Sequence, residues 1–180
     1  MNGRRDRVID GAKSILTTRG YKVTSEGEKE EYYDIYGEDS NKKTIIVRIP
    51  LKEVVGVREL RDYKEEIEEK GYDHAILLAL NKYTHYAKRE AKAAGIETFS
   101  IKFPFFNLFK HFQVPIHQFA TEEEIAELES KYSIFKYQLP KISADDPAVQ
   151  LLGAKAGDVL KIIRNSPTAG EFIVYRAVVP

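Results

Sequence analysis

Few side chains in this chain could act on a substrate, and they fall into three groups. The stretch Arg164-Asn165-Ser166-Pro167-Thr168-Ala169-Gly170 lies between two β-branched apolar runs and combines hydroxyls, a proline, a glycine and a positive charge. A phosphate cradle would need Gly-x-x-x-x-Gly-Lys-Ser/Thr between a strand and a helix, so that backbone N–H groups and the helix dipole face the anion. This stretch joins strand to strand, and Gly170 is followed by Glu171, which excludes nucleotide binding. Ser166 as a nucleophile would need a base within hydrogen-bond reach and an oxyanion hole. His74, His85, His111 and His117 form no recognisable motif with it, and a turn serine bonded to its own backbone is the commoner arrangement.

The second group is metal ligands. There is no cysteine, no histidine pair has i, i+4 spacing, and no acidic loop has calcium-binding spacing. The third group comes closer to chemistry. A helix followed by three strands, with Asp34 on the second, resembles the core of restriction-type nucleases, which hold Mg²⁺ with an aspartate and then an Asp/Glu-x-Lys on the next strand. Here the next strand reads Ile46-Val47-Arg48 where that carboxylate and lysine should fall. A divalent ion would have too little oxygen ligation and charge compensation. The pattern predicts a nuclease-like scaffold with no catalytic residue, no metal and no cofactor.

The elements that would carry these residues follow from periodicity. Val8, Ile9, Ala12, Ile15 and Leu16 predict a helix over 3–19, closed by Gly20. Strands are expected at Tyr21–Ser25, Tyr32–Tyr36 and Thr44–Ile49, with Glu26–Glu31 a solvated connection. Val57, Leu60, Lys64 and Ile67 mark one helical face up to Gly71, with Lys64 on its edge. The apolar run 74–80 reads as a strand covered on both faces, followed by a helix near Thr84–Ala94 and a strand over 96–101. The five phenylalanines of 103–112 predict a buried hinge helix, with an exposed aromatic patch as the alternative.

From Gln113 the grammar changes. Val114-Pro115-Ile116-His117 is extended because the residue before a proline avoids the helical region. Thr121-Glu122-Glu123-Glu124 starts a helix to about Lys131, Asp146-Pro147 starts a short one through Leu152, and Ala156-Gly157-Asp158 turns into a final hairpin. The fold class is therefore α/β (α+β), with one domain over 1–112 and a smaller module over 113–180 that has a mixed sheet and short helices. The 28 basic and 28 acidic residues cancel, so no global field announces a nucleic-acid partner. No apolar run approaches the ~20 residues that span a bilayer, and Met1-Asn2-Gly3-Arg4-Arg5 leads into a charged segment rather than a signal peptide. A cytoplasmic or nuclear compartment is expected.

The module over 113–180 resembles the small H polypeptide of archaeal DNA-directed RNA polymerase and the matching domain of the fifth subunit of eukaryotic RNA polymerases. The residues that carry this are Val114-Pro115-x-His117, Gln138-Leu139-Pro140-Lys141-Ile142, Asp146-Pro147, Leu152-Gly153, the run from Gly157 to Gly170, and Tyr175-Arg176. Residues 1–112 resemble the N-terminal jaw domain of the eukaryotic subunit through Arg19-Gly20-Tyr21, Val55-Gly56-Val57 and Ile96-Glu97-Thr98-Phe99. That domain has a nuclease-like fold without nuclease activity, so the chain looks like a two-domain, eukaryote-like form.

The resemblance implies a non-catalytic polymerase subunit that docks on the largest subunit and helps to shape the downstream DNA cleft. It has no membrane and no small-molecule partner, and it resides in the cytoplasm of an archaeal host or the nucleus of a eukaryotic one. The partner-binding residues it implies are His117, Pro140, Lys161, Arg164, Ser166, Thr168, Gly170 and Arg176. Eukaryotic members present a Thr-Pro-Ser-Ala loop to downstream DNA, and Thr84-His85-Tyr86-Ala87-Lys88 stands in its place here. Lys82, Thr84, His85, Lys88 and Arg89 are thus the DNA-proximal candidates, making sequence-independent phosphate contacts. The rival reading is a free-standing DNA-binding module on a catalytically dead nuclease-like scaffold. An active nuclease using Asp34 is a third, expected to fail.

Overall fold

The computed structural model divides into two compact units, Met1–Phe106 and Asn107–Pro180. The structure describes residues 2–99, 103–106, 108–166 and 170–180. The first unit opens with α1 (Asn2–Thr18), whose Val8, Ala12, Ile15 and Leu16 are buried along one stripe. Then come β1 (Lys22–Glu28), β2 (Tyr32–Glu38), β3 (Thr44–Pro50), β4 (Val54–Val55), α2 (Val57–Lys70), β5 (His74–Leu77), β6 (Lys82–Tyr83), α3 (His85–Ala93) and β7 (Glu97–Thr98). The main sheet runs β1-β2-β3-β5-β7, antiparallel as far as β3 and parallel from β3 to β7. The strands β4 and β6 form a separate parallel pair.

The central strand, β3, has every residue after Thr44 buried, as a strand covered on both faces requires. Ile46 packs with Leu60 and Tyr63 of α2, Ala75 and Leu77 of β5, and Ala91 of α3. Alternation turns Ile45, Val47 and Ile49 to the other face, and α1 packs on β1, β2 and β3. The Tyr63 hydroxyl is shared between the carbonyls of Ile46 and Ile76, at 2.9 and 3.0 Å. Tyr63, not Lys64, therefore belongs to the buried face of α2. Lys64 stays in water beside Glu68.

Two further expectations change. The acidic run is not all connection: Glu26 and Glu28 belong to β1, an exposed edge strand, where they pair with Lys13 (2.7 Å) and Arg5 of α1. Charge at an edge strand blocks pairing with stray strands. The run 74–80 is a strand only to Leu77, although Leu78 and Ala79 remain buried. Of the expected strand over 96–101, residues 100 and 101 lie outside the described residues.

The phenylalanine run is not a buried helix. Phe103 is buried, edge-on to Phe99 at 4.7 Å and to Phe105 at 5.4 Å, but Phe106 and Phe112 are 50% and 89% exposed. The only regular element described there is a single 3₁₀ turn, Leu108–Lys110. Phe105, Leu108, Phe109 and Phe112 have helical spacing, but Phe112 lies in water, so no shared buried face holds a longer helix together.

The second unit contains β8 (Ile116–Phe119), α4 (Glu122–Tyr132), β9 (Lys141–Ser143), α5 (Pro147–Leu152), β10 (Val159–Ser166) and β11 (Gly170–Val179). Its sheet runs β8-β10-β11-β9, antiparallel except for the β11–β9 pair. Val159 and Ala177 pack with Leu139 and with Ile125 of α4 on one face. Leu160 and Val178 pack with Val149 of α5 on the other. Thr121 caps α4 reciprocally with Glu124, and Asp146 caps α5 ahead of Pro147, as expected. Arg164 and Asn165 are strand rather than loop, opposite Phe172 and Glu171 in the hairpin.

Gly11, inside α1, marks a close approach: a Cβ there would lie 2.7 Å from Cβ of Phe105 and 2.9 Å from its Cα. Helix propensity alone would favour Gly11→Ala by about 1 kcal/mol. Urea unfolding of that variant is instead expected to show a net loss of about 1–3 kcal/mol from overpacking.

Candidate functional site

Strand register places the nuclease-like position. Asp34 of β2 faces Arg48 of β3 directly across the sheet. Both are buried, at 1% and 4% exposure. Arg48 donates Nε to Asp34 Oδ1 and Nη2 to Asp34 Oδ2, each at 2.7 Å, and donates again to Glu66 of α2. Its guanidinium lies between two rings, 3.7 Å from the centroid of Tyr32 and 4.6 Å from that of Tyr63. Tyr36 donates its hydroxyl to Asp34 Oδ2 at 3.2 Å.

Burial works against charge on Arg48, but its hydrogen bonds to Asp34 and Glu66 outweigh that and hold its pKa above the usual arginine value. Burial likewise works to raise Glu66, yet hydrogen bonds from Lys70 and Arg48 bring it down to about 2. Burial and the charge of Asp34 push the Tyr36 hydroxyl up to about 12, which keeps it a neutral donor.

This donor set does not fit Mg²⁺. Both oxygens of Asp34 are committed to a fixed cation in a bidentate pair. The position where the second carboxylate would have to stand is Ile46, buried in the apolar core. Among the described residues, no group of three or more His, Asp or Glu is placed to hold a metal ion. The arrangement is a structural ion pair that ties the sheet to α2.

The DNA-proximal candidates gather around the start of α3. Thr84 is its N-cap and accepts from the Ala87 N–H at 3.2 Å. Lys82, His85, Lys88 and Arg89 are exposed, and the Lys88 ammonium lies 5.8 Å from the Tyr83 ring centroid. Ala87 and Ala91 are buried on the opposite side. His85, Lys88 and Arg89 share a helical face with the exposed Lys92. Lys92 was not among the sequence candidates, although i, i+3, i+4, i+7 spacing would have found it.

The partner-binding candidates spread over the second sheet. His117 is half-buried, with Nδ1 2.8 Å from the Pro115 carbonyl oxygen and its ring 5.7 Å from that of Phe109. The Pro140 carbonyl accepts from the Ala177 N–H, and Arg176 donates to the Lys141 carbonyl at 3.0 Å. Both contacts hold β9 in place. Lys161 is half-buried and ion-paired with Glu124 of α4. Arg164 is exposed at the far end of β10, and Gly170 begins β11 with φ +71°, a conformation that favours glycine. Thr168 and the side chain of Ser166 lie outside the described residues.

One apolar feature escaped the sequence reading. Ile163 faces Ile116 on one side and Ile173 on the other, forming a row across three strands. Ile116 and Ile173 are 46% and 39% exposed. Beside this row lies a groove of about 420 Å³ lined by Phe112, Val114, Pro115, Ile116, Ile163 and Arg164, among others.

Residues 106–178 match the family described as RNA polymerase Rpb5, C-terminal domain. The DNA-directed RNA polymerase subunit Rpo5 of Pyrococcus horikoshii is 55% identical over 74 residues, which are 41% of this chain and 90% of that protein. The DNA-directed RNA polymerases I, II, and III subunit rpabc1 of Dictyostelium discoideum is 32% identical over 144 residues, 77% of this chain and 73% of that one. The chain belongs to the RNA polymerase Rpb5 family. The archaeal relative is matched almost entirely by a stretch the size of the second unit, whereas the Dictyostelium match is long enough to span both.

Residues 10–102 match a family described as Restriction endonuclease, so the pair Asp34–Arg48 sits on a nuclease-type scaffold in an Rpb5-family chain. Among solved structures, one of EndoMS in apo form aligns with a TM-score of 0.35 at 25% identity, over 44% of this chain and 37% of that one. That similarity is too slight to bear on function.

Arg48→Met would leave Asp34 buried without its counter-charge, at an expected cost of about 3–5 kcal/mol in denaturant unfolding. Asp34→Leu combined with Arg48→Met is expected to recover most of that loss. Because the Glu66 pKa is depressed on folding, its contribution is fully present above the ordinary value of 4.5 and is lost as pH falls through about 2. The stability gap between the unaltered chain and Glu66→Gln is expected to close over that window.

Proposed function

We propose that the chain is a structural subunit of a DNA-directed RNA polymerase that docks on the largest subunit through its second unit and shapes the downstream DNA cleft with its first. Membership of the Rpb5 family makes it a polymerase subunit, and it catalyses nothing by itself. The observation that carries the docking reading is the isoleucine row Ile116–Ile163–Ile173, exposed at both ends, on a strand whose next residue is the exposed Arg164. Apolar area left uncovered next to an exposed positive charge marks a surface meant to be covered.

The DNA reading is supported by the exposed stripe of Lys88, Arg89 and Lys92 on α3, with Lys82 beside it. Such cations would contact backbone phosphates irrespective of sequence. The cell compartment follows the polymerase, cytoplasm or nucleus according to host.

Tagged native chain is expected to bring down the large polymerase subunits in stoichiometric amount, read by mass spectrometry of the bound proteins. Arg164→Glu should weaken that association at least tenfold, and an unchanged affinity would remove the hairpin from the interface. For the assembled polymerase on downstream duplex, Lys88→Glu with Arg89→Glu should flatten the log K against log[salt] slope by about one per lost phosphate contact.

A further inference from the structure

We infer that the polymerase partner adds a short strand to the open edge of β10 at Arg164–Ser166, bringing a carboxylate to Arg164. This rests on the polymerase-subunit reading and specifies how docking is made. β10 pairs with β11 along its full length, from Val159 to Ser166, but with β8 only from Leu160 to Ile163.

The cause is local. The next position on the β8 side is Pro115, which has no N–H to give. Just before it, Val114 turns back to bond the His111 carbonyl at 2.9 Å. The outer edge of Arg164–Ser166 is left without a backbone partner among the described residues. Three residues of edge are about 10 Å of unpaired ladder.

The slot beside that edge is shaped for an extended chain. The diverging segment Phe112–Ile116 forms one wall of the groove and Ile163–Asn165 the other. An incoming strand would take backbone hydrogen bonds from β10 and place alternate side chains against Ile163 and Phe112. Arg164 has no carboxylate partner among the described residues. By contrast Lys161, three residues before it, is neutralised by Glu124. An exposed guanidinium of this kind beside an open edge selects a segment carrying a carboxylate.

The test is residue-resolved hydrogen exchange on the free chain and on the chain within assembled polymerase. Amides of 164–166 that point away from β11 are expected to exchange at least tenfold more slowly in the assembly, while 32–38 of β2 stays unchanged. A parallel measurement uses Asn165→Asp, which adds negative charge at the slot while leaving the backbone free to pair. Association should weaken at least threefold and recover as salt rises. Association with exchange at 164–166 unaltered would overturn strand addition and leave the subunit reading intact. No association with polymerase at all would overturn both.

Discussion

The first unit depends on one pairing, Asp34 against Arg48 across two neighbouring strands. Two opposite charges so deeply buried are tolerated only when they are paired and hydrogen-bonded. The structure meets that condition with a bidentate bond, a third contact to Glu66 and two flanking rings. Each partner comes from a different element, so the ion pair joins β2, β3 and α2 at one point. It also settles the chemistry. A scaffold that elsewhere in its family carries the description Restriction endonuclease has here given its first carboxylate to a guanidinium. What is left is a rigid platform that can hold α3 and its basic stripe at the surface.

The second unit follows the opposite logic, since its informative region is the part left incomplete. Its core is closed at one end of β10, where Val159 and Leu160 are covered by α4 and α5. At the other end β10 runs on past β8, the isoleucine row is half in water, and Arg164 meets no carboxylate among the described residues. A 74-residue unit without a disulfide buries a modest share of its surface, so association with a larger body suits it energetically as well as geometrically.

Much of this was legible from residue order. Helix caps at Thr121 and Asp146, the terminal glycines of α2 and α5, and the presence of three strands after α1 were read correctly because each signal acts within a few residues. The missing second carboxylate was visible too, since it is a matter of which residue stands in a strand. The phenylalanine run misled because aromatic density resembles a core signature, yet burial depends on what lies opposite. Tyr63 was passed over for Lys64 because one helical step separates a core position from its edge, and only the carbonyls of Ile46 and Ile76 reveal which is which.

By itself the sequence determined most element types, the absence of a second nuclease carboxylate and the family, all of which depend on local propensity or on residue identity in order. Tertiary structure alone decided that Arg48 rather than solvent neutralises Asp34, that Lys161 is taken by Glu124, and that β10 outlasts β8 by three residues. Those facts depend on strand register and on where a chain diverges, and register joins residues far apart in sequence whose pairing no local pattern encodes.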